Sequence, residues 1–295
     1  MLDIAKIPEG WYRICKIPRR ESEFAEEFNL FGGIVRVSNS HHSGPKPLDS
    51  TLPRWSATFQ KDQTRKPKAL TLCEKPPFLL AWFPETTTPN FDIVPLSPLI
   101  RDHWSAPFHL RWIVKSNLLE IAENAADMGH FTSVHIYKEH AQLSKFLTED
   151  HKMSVFFKSA RRILGIRVPV EIELHYQGLG WVESRAKSPM VEVHVVYTPT
   201  PIDSSHLEIN LSLSFKKTRN PLFNLILRLI LPWEAGRDYQ RDIPIWENKI
   251  IHQHPKLCSA DGPILKLRRW ANRFYSPRIE GNSALQDRVC RLSEL

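Results

Sequence analysis

Residues 117–135 read NLLEIAENAADMGHFTSVH, and the interpretation of the whole chain turns on them. Leu118, Leu119, Ala122, Ala125, Ala126 and Met128 recur near i, i+3, i+4 and i+7, the spacing of one apolar helix face. Ser116 is the expected N-cap, since its hydroxyl can accept a first-turn amide, and Gly129 is the expected terminator. Asp127 and His130 are three apart and share a face for as long as the helix holds. His135 joins them if the chain turns back through 129–134. Two neutral imidazoles suit iron, zinc, copper or nickel, and a nearby carboxylate can orient a ligating histidine. Spacing alone carries little weight, because H-x4-H arises by chance in a chain with 13 histidines.

The 295 residues suffice for one large or two small domains, and 42% hydrophobic with 24% charged residues implies a real core. The net charge of +8 is scattered, with short clusters only at Arg19-Arg20 and Arg161-Arg162. No basic stripe interleaves with aromatics, so no nucleic acid is expected, while a basic face is compatible with an acidic electron-transfer partner. Cys15, Cys73, Cys258 and Cys290 form no CxxC and are too sparse for a disulfide framework, which points to a reducing, cytoplasmic setting. No apolar leader opens the chain and no run of 18 apolar residues occurs, so neither a secretory signal nor a transmembrane segment is expected.

Along the chain, 10–17 and 28–37 have strand character, 38–70 has loop composition and 71–83 returns to strand. A proline-rich stretch at 84–101 marks a boundary. Residues 108–115 read as a strand leading into the key helix, and 136–150 are polar, with His140 and His151 assigned to the surface. From 152 to 215 strands follow one another. Leu207, Ile209, Leu211, Leu213 and Phe215 alternate with Glu208, Asn210, Ser212 and Ser214, as in a half-buried antiparallel sheet. By this count His175 and His194 lie on the polar, exposed face. Residues 221–231 (PLFNLILRLIL) read as a buried helix or a subunit contact, with peripheral membrane contact a minor alternative. Pro232 should break it, and a second helix over 234–249 should kink at Pro244. That helix sets Asp238, Asp242 and Trp246 on one face. On its own, Asp242 reads as an exposed helix carboxylate.

Together, Glu123-Asn124, Asp127, His130-Phe131 and His135 resemble the iron-site helix of the Rieske non-haem iron oxygenases. Residues 8–12 (PEGWY) resemble that family's opening strand, and 241–249 (RDIPIWENK) the segment carrying its distal Asp. Residues 261–264 (DGPI), Arg268-Arg269-Trp270 and Phe274-Tyr275 resemble the closing stretch of the 3-ketosteroid hydroxylase branch. The resemblance implies an α+β chain. A small β domain at 1–83 and a linker at 84–107 would precede a helix-grip catalytic domain at 108–275, in which an antiparallel sheet and a long C-terminal helix enclose an apolar cavity. A tail would occupy 276–295. It implies Fe(II) held by His130, His135 and Asp242, with Asp238 in reserve. Asp127 would be the electron-transfer bridge or an orienting carboxylate, and Asn124 would lie near the iron.

The chain departs from the family at its start. A Rieske [2Fe–2S] centre needs two Cys and two His, as CxH and CxxH. Here Cys15 is followed by Lys16-Ile17 and Cys73 by Glu74-Lys75, and His41-His42 have no Cys partner. The expectation is a degenerate N-terminal domain with no [2Fe–2S] cluster. The chain would be an oxygenase component using O2 to hydroxylate, demethylate or desaturate an apolar, multi-ring substrate. Electrons would come from a Rieske or ferredoxin-type donor in trans, within a homo- or hetero-oligomer. The alternatives are a non-catalytic ligand-binding or accessory subunit, and a metal-dependent reaction needing no external electrons.

Overall fold

Period-2 patterning over 152–215 becomes a run of long antiparallel strands. The structure is a computed structural model that describes residues 6–18, 24–39, 55–97, 102–135, 141–163, 166–249, 256 and 262–275. Arg19-Arg20, His41, His42, His140, Cys258, Asp261, Cys290 and the tail at 276–295 lie outside the described residues, as do the side chains of Arg161 and Arg162.

Seven strands form the main sheet: β8 (Phe108–Lys115), β9 (Gln142–Glu149), β10 (Lys152–Ile163), β11 (Ile166–Gln177), β12 (Val182–Lys187), β13 (Glu192–Pro201) and β14 (His206–Phe215). Their order is β8-β14-β13-β12-β11-β10-β9. Every pairing is antiparallel, and β10 and β11 stay in register from Lys152↔Gln177 to Ile163↔Ile166. The N-terminal strands make two smaller sheets. One has β1 (Gly10–Lys16), β7 (Phe78–Phe83) and β6 (Leu72–Lys75); the other has β2 (Ala25–Leu30), β3 (Gly33–Asn39), β4 (Trp55–Gln60) and β5 (Lys68–Ala69). β4 and β5 fall within the stretch expected to be loop. Trp55, Ala57 and Phe59 alternate with polar residues there, and their buried side chains supply the packing that overrides the polar composition.

The central strands β13 and β14 are largely buried on both faces rather than half-buried, whereas β8 keeps one exposed face and β9 is mostly exposed. The inner face of the sheet presents Ile172, Tyr176, Val182, Tyr197 and Leu211 to the helices. Its outer face carries polar residues that other segments cover. Thr200 Oγ1 donates to the Arg13 carbonyl (2.9 Å), Gln177 bonds both the N–H and C=O of Val94 (2.8 Å each), and Ser105 exchanges bonds with Phe215. His194, expected at the surface, is completely buried, with Nε2 3.0 Å from Glu183 Oε2. Glu183 Oε1 in turn accepts from the Leu96 amide (2.9 Å) and from Trp181 Nε1 (3.1 Å). A polar residue facing outward is hidden wherever another segment lies over it and satisfies its hydrogen bonds. His175 is half-buried against Ser154 Oγ, and His151 stacks on Phe91 with ring centroids 4.3 Å apart rather than standing free.

Four helices complete the described chain: α1 (Leu118–Ala126), α2 (Met128–Ser133), α3 (Pro221–Asn248) and α4 (Ile264–Tyr275). α3 is continuous through Pro232 and Pro244, against the break expected at Pro232. Each proline removes an N–H that would have bonded the carbonyl four residues earlier. Those carbonyls belong to Arg228 and Gln240, both exposed residues, so water can take the place of the lost donors. The expected burial of 221–231 is also overturned: Leu222, Leu225, Leu229 and Ile230 are largely exposed, and only Leu227 is buried in that stretch. Gly262, in the turn just before α4, has a φ of +63° that suits glycine; a Cβ there would collide with the Ala126 carbonyl, so the close approach of this turn to the end of α1 requires glycine.

Candidate metal centre

The site is built on α1, which is too short to be stable alone. Eight of its nine residues are buried, and full burial of Leu118, Leu119 and Ile121 stabilises by about 1.5–3 kcal/mol each. That outweighs the roughly 1 kcal/mol of a cap. The N-cap is Asn117, whose Oδ1 accepts from the amides of Leu119 and Glu120 (3.1 Å each). Ser116, the expected cap, donates to Glu120 Oε2 instead (2.7 Å).

α1 ends one residue before Asp127, which sits at φ −80°, ψ 95° and starts α2. Asp127 and His130 therefore do not share one uninterrupted helix face, and Gly129 lies inside α2 rather than terminating α1. Asp127 Oδ1 accepts from the amides of Gly129 (3.0 Å) and His130 (3.2 Å). Its carbonyl lies 2.6 Å from His130 Nδ1. A carbonyl only accepts, so Nδ1 carries the proton and the lone pair is on Nε2. Burial lowers the His130 pKa, against the raising effects of the Asp127 carbonyl and the Asp242 carboxylate. The neutral form is the one that binds metal.

The turn after α2 brings His135 back, with its ring 5.1 Å from that of His130. Asp242 arrives from α3, with Oδ1 3.3 Å from His135 Nε2. All three side chains are buried, and each offers a ligand atom within 4.8 Å of the others. Asn124 Nδ2 donates to Asp242 Oδ2 at 3.4 Å. Asp238 stands one turn earlier on α3, with Oδ1 3.8 Å from His135 Nδ1 and 3.6 Å from Arg241. The structure thus gathers His130, His135 and Asp242, with Asn124 beside them, and sets Asp127 behind His130.

This donor set fits a divalent transition metal. Asp242 Oδ1 is buried and receives no hydrogen bond among the described residues. Leaving a carboxylate oxygen so is costly unless a cation sits near it. Two imidazoles and one carboxylate, without thiolate, match ferrous iron better than structural zinc.

Above the three residues lies a cavity of about 250 Å³. Ile172, Leu174, Phe157, Val195 and Leu211 line it, with Tyr197, Tyr239 and Trp246 adding polar atoms. Glu123 also has a structural part that sequence reading did not give it. Almost fully buried, it accepts from Arg268 Nε (2.5 Å) on α4 and from Lys249 Nζ (3.1 Å) at the end of α3. Its only signal was a carboxylate placed among apolar residues of a buried helix.

A family model described as the 3-ketosteroid 9alpha-hydroxylase C-terminal domain matches residues 81–275, about two thirds of the chain. The oxygenase component of a 3-ketosteroid-9-alpha-monooxygenase from Rhodococcus rhodochrous is 26% identical over 176 residues, covering 54% of this chain and 45% of the relative. Cholesterol 7-desaturase nvd 1 of Ciona intestinalis is 24% identical over 335 residues, covering 92% and 70%. The chain spans less than half the length of that Rhodococcus relative. Among solved structures, dicamba monooxygenase bound to dicamba superposes with a TM-score of 0.63 at 12% identity, covering 93% of this chain and 98% of the other. That likeness is one of fold. The matched segment contains α1 to α4 and all three converging side chains, and the chain belongs to the 3-ketosteroid 9α-hydroxylase C-terminal domain family, a branch of the Rieske oxygenases.

Proposed function

We propose that this chain is the oxygenase component of a mononuclear non-haem iron enzyme, with Fe(II) held by His130, His135 and Asp242. The observation that carries the reading is the convergence of these three buried side chains beneath an apolar cavity, with Asp242 Oδ1 lacking a donor. When bound, ferrous iron supplies one-electron chemistry and open coordination positions for O2. The chain does the rest. Asp127 fixes the tautomer of His130, Asn124 holds Asp242, and the aliphatic and aromatic walls exclude water and bind an apolar, multi-ring substrate. The relatives' names point to ring systems of that kind. The outcome is hydroxylation, demethylation or desaturation.

The seven-stranded sheet and α3 act as the helix-grip of the catalytic domain at 108–275, and 1–83 as a shortened Rieske-like unit without a [2Fe–2S] cluster. Neither Cys15 nor Cys73 has a histidine two or three residues on, so the electrons come from a Rieske or ferredoxin-type protein in trans. That missing motif is also the one observation favouring an accessory, non-catalytic subunit.

The test is iron content after anaerobic reconstitution with Fe(II), measured beside His130→Ala and Asp242→Ala. Stoichiometric iron lost in both variants, without a [2Fe–2S] signal in electron paramagnetic resonance, is the expected result. No specific iron uptake by the unmodified chain would leave the accessory subunit as the better reading.

A further inference from the structure

The first half of α3 carries an apolar face that the described chain leaves uncovered. Leu222, Leu225, Ile226, Leu229, Ile230 and Trp233 are between 41% and 68% exposed. They recur at i, i+3, i+4, i+7, i+8 and i+11 and so form one stripe over three turns. Single exposed apolar residues are ordinary, but six contiguous ones mark a contact surface. Among the described residues no helix is long and apolar enough to cross a membrane. Any lipid contact of this helix is therefore in the plane of the surface.

Charge distinguishes the occupants. From Lys216 to Trp233 the chain holds Lys216, Lys217, Arg219 and Arg228 and no Asp or Glu. All four cations are exposed. Lys216 also lies 3.7 Å from Glu192 on β13. The Arg228 guanidinium sits over the Phe108 ring at 5.3 Å, and that of Arg237 over Trp233 at 4.8 Å, placing cations beside the apolar stripe. A two-fold pairing of this stripe with a second copy would set the same cations against one another. An anionic surface complements both the stripe and its margins.

We propose that the segment Lys216–Trp233 docks on an anionic lipid surface, with the leucines, isoleucines and Trp233 among the acyl chains and the lysines and arginines at the headgroups. Further along, the same helix presents Ala235, Tyr239 and Asp242 to the cavity. By helix periodicity those residues lie on the side of α3 away from the stripe, so the docked face and the cavity wall are opposite sides of one helix. The docking itself does not rest on the iron reading.

Flotation of the full chain with vesicles tests it, using phosphatidylcholine alone against equal parts phosphatidylcholine and phosphatidylglycerol. Binding to the anionic vesicles is expected to exceed that to the neutral ones at least tenfold and to weaken with salt. The double variant Leu225→Glu/Leu229→Glu should lose at least tenfold, as should Lys216→Glu/Lys217→Glu, with unchanged thermal unfolding showing that both remain folded. Absence of binding, or binding that neither variant weakens, would overturn the proposal. So would a multimer in solution that Leu225→Glu/Leu229→Glu returns to single chains when no vesicle binding is seen; the stripe would then belong to a second copy.

Discussion

Asn124 on α1 and Asp242 on α3 are 118 residues apart, and the fold brings Asn124 Nδ2 within 3.4 Å of Asp242 Oδ2. One carboxylate oxygen is thereby held by an amide while the other points, without a donor, toward the two histidines. The amide fixes which oxygen faces the centre.

If that arrangement serves iron, Asn124→Ala should leave the three ligands in place and release the carboxylate to rotate. Removing such a supporting partner typically weakens metal affinity by about 10–100-fold. Competition with a chelator would measure it. A variant that holds iron as tightly as the unmodified chain would assign Asn124 to packing alone.

Glu123 ties three helices together at a site only 2% exposed. Glu123→Ala would remove the acceptor of Arg268 Nε, a mostly buried charge-assisted hydrogen bond, at a cost of about 1.5–3 kcal/mol. Lys249 is more exposed and adds little to that figure. Denaturant unfolding gives the number, and a loss below about 1 kcal/mol would mean that water replaces the pair.

On the opposite face of the main sheet, Glu183→Ala removes the acceptor for the Leu96 amide and Trp181 Nε1 and the partner of His194. A loss of about 3 kcal/mol is expected, since buried donors are left unpaired. Glu183→Gln keeps an acceptor oxygen and should recover part of it. Amide exchange at Leu96 reports the local effect and should accelerate more than exchange within β10 and β11.

Gly262→Ala adds a methyl group where φ is +63° and the Ala126 carbonyl leaves no room. Backbone strain alone predicts a loss of about 1–3 kcal/mol, before the collision. A neutral effect on thermal unfolding would show that α4 can move away from α1 at little cost.

Burial pushes the Cys15 thiol up to about 12 from 9.0. The folded chain holds this proton more tightly than the unfolded chain. The contribution to stability is therefore fully present below pH 9 and is lost as pH rises toward 12. At pH 8 an alkylating reagent should modify Cys73, which is half-buried, well before Cys15. Equal rates measured by mass spectrometry would contradict the burial of β1.

Much of the fold was legible where the pattern is local. Alternation over 207–215 located β14 and named its two faces correctly, and the 117–128 periodicity located α1. The convergence of His130, His135 and Asp242 was legible through the family motif, because H-x4-H and a distant Asp carry little weight by spacing. What sequence could not show depends on which segments lie over which. His194 read as an outward polar residue, and it is outward from the sheet, but the chain around Val94–Leu96 covers it and its partner Glu183. The stretch 221–231 read as a buried helix or a subunit contact because it is apolar, while among the described residues only Leu227 in it is buried. Pro232 read as a break, yet the carbonyls that it and Pro244 strand belong to exposed residues, so the helix continues through both. Ser116 and Gly129 were reasonable capping residues displaced by neighbours, Asn117 and Asp127, with better-placed oxygens.

The unbroken course of α3 has a mechanical consequence. Its 28 residues span about 42 Å of helix. Asp242 lies ten residues beyond Pro232, about 15 Å along the axis. A tilt of about 5° around Pro232 would shift the Asp242 carboxylate by about 1 Å, enough to change whether three side chains can meet at one atom. The helix is a lever, with the apolar stripe on one arm and the candidate ligand on the other.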